Sequence, residues 1–444
     1  MTKTPIHSFL EEYKEKGFVR LHMPGHKGAG NPTEAMDITE VSGADSLFEA
    51  NGIIEESERI AGQIYGAHTF YSTEGSSLSI RAMLYLATVY AKKIGRAPKI
   101  AAARNAHKSF ISAAALIDFD IDWICSEKSS YLSSMITESE VKTYFDSAKD
   151  LPIALYITSP DYLGYVSDIK RISELCHKKG VLLIVDNAHG AYLKFVTPSL
   201  HPIDLGADLC CDSAHKTLPA LTGCAYMHVS KSAPAFFKDN VKRAMMLFAS
   251  TSPSYLMLDS LDRLNPSLKD NFSEELQTFL DKIKLLKENL SKLGYTLIGN
   301  EPMKITVSSK EYGYLGEEMA EHLMQKGIMT EFSDSDYLVL MPSPKNTDPE
   351  LEKLLDALSS LRKREKITTL PPLAHIPKKE ISIREAMMSD SVTLPVSECV
   401  GKIVSTVTLG CPPAIPIAAP GEVIDEKILA AFQYYGITEC SVVK

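Results

Sequence analysis

Two spacings of apolar residues alternate along the first two thirds of the chain. Apolar runs at 99–103, 122–125, 153–157, 181–185 and 224–229 have the length and content of buried strands. Between and before them, apolar residues three and four apart predict helices over 54–65, 78–94, 138–145 and 169–179, and another ending near 116. A short helix over 5–17 precedes them and stops at Gly17. Strands that alternate with helices predict an α/β fold with a mainly parallel sheet covered on both faces.

The pattern changes in the last third. Leu276, Leu280, Ile283, Leu286, Leu290 and Leu293 lie on one face of a long helix over 274–293, stopped by Gly294. We read this helix as the bridge to a second domain; an ordinary packed helix fits the same pattern equally. Strands over 303–307 and 337–341 flank a helix over 315–326. Asp348-Pro349 opens a further helix carrying Leu351, Leu354, Leu355, Leu358 and Leu361. Residues 365–380 mix charge with prolines and read as a linker. The expected organisation is an N-terminal segment over 1–50, a large domain over 51–295 and a smaller α+β domain over 296–444.

Composition narrows the function. A chain of 444 residues is too long for one core. A charged fraction of 23% is that of an ordinary globular protein. The net charge of −9 argues against nucleic acid as a partner and is compatible with small cations. No apolar run has the length of a membrane span, and the N-terminus shows no export signal, so a cytoplasmic location is expected. Eight cysteines without a Cys-x-x-Cys pair read as reduced core residues, and no metal site is expected.

Candidate chemistry collects at predicted strand ends, where α/β folds bind ligands. The run at 181–185 ends in Asp186-Asn187-Ala188-His189-Gly190. A second short run, Asp208-Leu209-Cys210-Cys211-Asp212, leads into Ser213-Ala214-His215-Lys216-Thr217. A lysine buried beside an apolar strand is a candidate for a lowered pKa, and its neutral amine forms a Schiff base with an aldehyde. An aspartate at a neighbouring strand end is the partner that the ring nitrogen of pyridoxal phosphate requires. Gly75-Ser76-Ser77 stands at a strand-to-helix junction, where backbone N–H groups and hydroxyls make an anion site or a simple helix cap. His107 stands at another such junction. The proline-dense run over 410–422 cannot be a central strand or helix and reads as a rigid segment lining a pocket.

Taken together, several blocks resemble the bacterial Orn/Lys/Arg decarboxylases. They are Met23-Pro24-Gly25-His26-Lys27-Gly28, Asp37-Ile38-Thr39-Glu40, Gly75-Ser76-Ser77, Arg104-Asn105-Ala106-His107-Lys108-Ser109, Asp186-Asn187-Ala188-His189-Gly190, Ser213-Ala214-His215-Lys216-Thr217-Leu218, Thr251-Ser252-Pro253-Ser254-Tyr255, and Pro412-Pro413-Ala414-Ile415-Pro416 through Pro420-Gly421-Glu422. The resemblance implies a pyridoxal-phosphate enzyme of fold type I (aspartate-aminotransferase-like), with 51–295 as the cofactor-binding domain. It implies that Lys216 carries the cofactor and that Asp186 pairs with its ring nitrogen. Ser76, Ser77, Ser213 and His215 would hold the phosphate, with Gly75 allowing close approach. His107 would stack on the ring, Ala188 would pack against its other face, and His189 would lie beside it. Sites of this kind form between two subunits, so a homodimer is expected, with Thr251 and Ser252 reaching a neighbour's phosphate.

The implied reaction is decarboxylation of a basic amino acid, arginine ahead of lysine or ornithine, to an amine for polyamine synthesis. The chain resembles the short form of Gram-positive bacteria, without the N-terminal response-regulator-like domain of larger members. Glu422 and Asp45 are the candidate carboxylates for a cationic side chain. The chain departs from the family at Asn187, where an acidic residue is common, and at Asp212, where glutamine is frequent. It also departs at Cys411, where a tyrosine is common, and at Ala414, where glycine is usual; Cys411 and Ala414 could reshape the substrate pocket. A different pyridoxal-phosphate reaction, or a non-catalytic homologue that binds cofactor or polyamine, would use the same residues.

Overall fold

The computed structural model describes residues 2–125, 129–407 and 414–444. These residues form two compact units, each assembled from two chain segments. The first comprises Met1–Pro98 with Ile169–Glu274, the second Lys99–Asp168 with Glu275–Lys444. Strands and helices are numbered separately in chain order.

The first unit opens with α1 (Pro5–Glu15) and α2 (Ile53–Tyr65). Strand β1 (His68–Ser72) then leads into α3 (Gly75–Lys93). The second unit supplies β2 (Lys99–Ala103), α4 (Lys108–Ile117), β3 (Asp120–Ile124) and β4 (Ala154–Thr158). Back in the first unit come β5 (Leu182–Asp186), β6 (Leu209–Asp212) and β7 (Ala225–Val229).

Within the first unit the strands lie in the order β1-β7-β6-β5. β5 and β6 are parallel, whereas β7 runs antiparallel to both β6 and β1. The exception to the expected parallel pattern has a simple cause. Twelve residues (213–224) join β6 to β7, and they hold only the four-residue helix Ala214–Thr217, too little to carry the chain over a sheet face and back. Every residue of β5, β6 and β7 is buried, which accounts for their continuous apolar runs.

The second unit orders its first strands β3-β2-β4, all parallel. It adds an antiparallel sheet of β8 (Leu297–Ile298), β9 (Ile305–Ser308), β10 (Phe332–Ser333) and β11 (Tyr337–Leu340), and an antiparallel pair β12 (Ser391–Pro395) and β13 (Glu439–Val443). The long helix Phe272–Lys292 lies almost wholly in this unit and buries Leu276, Ile283 and Leu290 completely. Residues 365–380 contain no helix and no strand beyond isolated bridges.

Candidate active site

In the first unit, two parallel strand ends lie side by side and each releases a chemical group. In the β5–β6 register Asp186 stands opposite Cys211. The Asp186 carboxylate is buried; its Oδ1 accepts the Ala188 N–H at 3.1 Å and lies 3.6 Å from the Cys211 thiol. One turn beyond the end of β6, the short helix Ala214–Thr217 presents Lys216, whose Nζ lies 3.0 Å from His189 Nε2. His189 is buried, but Lys216 is exposed. The expected burial of this lysine is therefore corrected. The strand before it is dry, while the lysine residue is exposed in the single chain and its amine meets buried His189.

The first turn of α3 completes the site in this unit. Gly75 adopts φ +68°, a conformation that favours glycine, and no atom lies within 4 Å of where a Cβ would stand. Its N–H is tied to the Gly223 carbonyl at 2.8 Å. Ser76 follows, buried, its Oγ accepting from Ser213 Oγ at 2.9 Å, and Ser77 is half-buried beside it. A helix N-terminus with two hydroxyls and open space at a glycine suits a phosphate. His215 directs Nδ1 to the Cys224 carbonyl at 3.0 Å. Burial lowers its pKa, the Cys224 hydrogen bond opposes this and the Lys216 charge adds to it, so the ring is neutral near pH 7 with Nε2 as acceptor. Thr251 and Ser252 are exposed, on a loop that the Ser250 N–H fastens to Glu74 at the start of α3.

Beneath this surface lies a network that sequence reasoning missed. Asp212 is completely buried. Its Oδ2 lies 3.0 Å from His201 Nε2 and 3.2 Å from His228 Nε2, and its Oδ1 accepts from Asn187 Nδ2 at 2.7 Å. The two family departures Asn187 and Asp212 are thus one hydrogen-bonded pair. Burial would raise the Asp212 carboxyl, but the two imidazoles outweigh it and hold it well below the usual range. His201, Cys210 and Asp212 are also spaced as metal ligands could be. The proton positions assign them otherwise. The Ile203 N–H points at His201 Nδ1 (3.3 Å), which leaves the ring proton on Nε2, aimed at the carboxylate.

Two predicted carboxylates are engaged elsewhere. Asp45 does not face a substrate: it accepts the amides of Ser46, Asn51, Gly52, Ile54 and Glu55 at 2.9–3.3 Å and so caps α2. This corrects its assignment as a substrate carboxylate. Glu422, in the second unit, is buried with Oε2 2.7 Å from both Arg104 Nη2 and the Ala419 amide. Burial raises its pKa and Arg104 opposes that rise. In the same unit His107 caps α4, with Nδ1 accepting from the Ser109 amide and hydroxyl, so its proton sits on Nε2. Cys411 lies outside the described residues.

An amine, a buried carboxylate and a phosphate cradle on one unit form a donor set that fits pyridoxal phosphate, and the fold is type I of the enzymes that use it. A sequence profile of the Orn/Lys/Arg decarboxylase major domain matches residues 4–296, and the chain belongs to that family of decarboxylases of basic amino acids. It is 29% identical to an arginine decarboxylase of Halalkalibacterium halodurans, over 96% of this chain and 92% of the relative. It is 28% identical to an arginine decarboxylase of Bacillus subtilis over the same shares. The constitutive lysine decarboxylase of Escherichia coli superposes with a TM-score of 0.78 at 16% identity, covering 100% of this chain and 82% of that one. Among the described residues no helix is long and apolar enough to cross a membrane.

Proposed function

We propose that the chain converts L-arginine to agmatine and CO2, consuming one proton per turnover, and that the amine feeds polyamine synthesis. The observation that carries this reading is the placement of Lys216, Asp186 and the Ser76–Ser213 hydroxyls on one unit, in a chain whose full-length relatives include arginine decarboxylases. When bound, pyridoxal phosphate supplies an aldehyde for amines and an electron-poor ring that accepts the electron pair left by departing CO2. Lys216 Nζ would anchor the cofactor, and Lys216 or His215 would return a proton to the α-carbon. Asp186 keeps the ring nitrogen protonated. Ser76, Ser77, Ser213 and the amides of the first turn of α3 hold the phosphate, His215 lies against it, and Thr251 and Ser252 serve a neighbouring subunit's phosphate. Ala188 would lie against the ring, and His189 orients the amine of Lys216. Glu422 is already matched by Arg104 within its own unit.

The working unit is a cytoplasmic homodimer. Exposed Lys216 and the apolar run of Val19, Leu21 and Met23, 68–92% exposed, support a covering second copy. The test is mass spectrometry of products after incubating the cofactor-loaded protein with equimolar arginine, lysine and ornithine, with light scattering on the same sample. Agmatine from a dimer is the expected result. Cadaverine or putrescine alone would replace the arginine assignment, and keto acids would replace decarboxylation itself.

A further inference from the structure

We propose that Asp212 is a positioning residue for the cofactor acid Asp186, acting through Asn187. The inference rests on the assignment of Asp186 to the cofactor's ring nitrogen. Asn187 follows Asp186 directly at the end of β5. Its amide N–H donates to the Cys211 carbonyl at 3.0 Å, and its side-chain Nδ2 donates to Asp212 at 2.7 Å. Asn187 is fully buried and, among the described residues, its Oδ1 has no hydrogen-bond partner, so within them the Asp212 carboxylate is the side chain's anchor.

That anchor is itself held from two further elements. His228 stands on β7, and its Nδ1 lies 2.9 Å from the Thr69 hydroxyl of β1. His201 stands in the segment before β6, with the Ile203 amide at Nδ1. Both rings therefore turn their Nε2–H toward the same carboxylate oxygen, and Asp212 cannot swing without stranding its donors. An ion buried this way is not the more stable filling for the space. What it adds is direction: it fixes the residue after Asp186 on one strand, and on its own strand it precedes Ser213, whose hydroxyl meets Ser76. One buried anion thus sets both the carboxylate and the phosphate side of the cradle, where small displacements cost much of the rate.

The experiment compares wild type, Asp212→Asn, Asn187→Ala and the double variant. Each is measured for pyridoxal phosphate affinity, visible circular dichroism of the bound cofactor, kcat and KM separately, and the melting temperature of the apoprotein. Losing a hydrogen bond to a charged acceptor predicts about tenfold or more weaker cofactor binding in each single variant. The visible dichroism should fall, and kcat should drop while the KM of the amino acid stays within about twofold. The double variant should bind cofactor no worse than Asp212→Asn, because both changes break one link. Wild-type affinity, dichroism and kcat in folded Asp212→Asn, or strictly additive losses, would overturn the proposal. If Asp212→Asn does not fold, Asn187→Ala decides alone by the same readouts. Unchanged cofactor binding in Asp186→Asn would instead remove the Asp186 assignment, and the inference with it.

Discussion

Replacing Asp45 by asparagine separates two roles that a buried carboxylate near the N-terminus could have. In the structure both oxygens are spent on the start of α2: Oδ1 takes two amides and Oδ2 takes three. Asparagine keeps one acceptor but turns an NH2 toward the other set of N–H groups. Charge-assisted hydrogen bonds of this kind contribute about 1.5–3 kcal/mol each, and partial rehydration of the exposed Asn51 and Gly52 brings the expected loss to about 3 kcal/mol. For a unit of about two hundred residues this lowers the melting temperature by roughly 6–12 °C. The assay is thermal unfolding of the apoprotein by far-ultraviolet circular dichroism, paired with KM for arginine, lysine and ornithine. A stability loss with KM unchanged is expected. A wild-type melting temperature with KM raised about tenfold would refute the capping argument and restore Asp45 as a substrate carboxylate.

Further outcomes follow from other sites. Lys216→Ala should abolish both turnover and the visible absorbance band that pyridoxal phosphate gives with the wild-type protein, and a retained band would remove the lysine from its role. Glu422→Gln should cost about 3 kcal/mol by leaving the Arg104 charge buried without a counter-ion, read as a lower denaturation midpoint; an unchanged midpoint would contradict the pairing. Asp262, buried against Ser57 and the His7 amide, has its carboxyl raised by burial from 3.8 to about 6. The folded state therefore holds the proton more tightly than the unfolded one, so this site's contribution is fully present below about pH 4 and is lost as pH rises through 6. Asp262→Asn should gain stability relative to wild type across that window and remain level above it. A difference that stays flat from pH 4 to 7 would contradict the shift.

The strand ends that carry Asp186 and Lys216 were legible because β5 and β6 are fully buried, and such strands read as unbroken apolar runs closed by a polar residue. The Gly75–Ser77 turn was legible for a local reason as well, a glycine and two serines where a strand meets a helix. The network around Asp212 was not. His201, Asp212 and His228 carry no shared spacing, and only the β5-β6-β7 order brings Asn187 and the two imidazoles to one carboxylate. The Arg104–Glu422 pair joins residues 318 positions apart, beyond any local pattern. Asp45 misled because an acidic residue in an irregular stretch looks the same whether it faces a ligand or caps a helix eight residues on. Lys216 misled because a dry strand says nothing about where the following side chain points.

The interleaved segments of the two units carry a consequence for synthesis. The first unit has all its residues once Glu274 has left the ribosome, but the second begins with Lys99–Asp168 and takes the rest of its chain up to Lys444. That early segment is about 270 residues ahead of the last of its partners, a wait of tens of seconds at ordinary elongation rates. Strands β2, β3 and β4 all lie within it, with β2 pairing to both neighbours, so the segment carries the pairing partners of a small sheet of its own. A nascent three-stranded sheet with an uncovered apolar face is the species a chaperone would meet, and chains stalled between residues 275 and 444 should be the ones that crosslink to it most strongly.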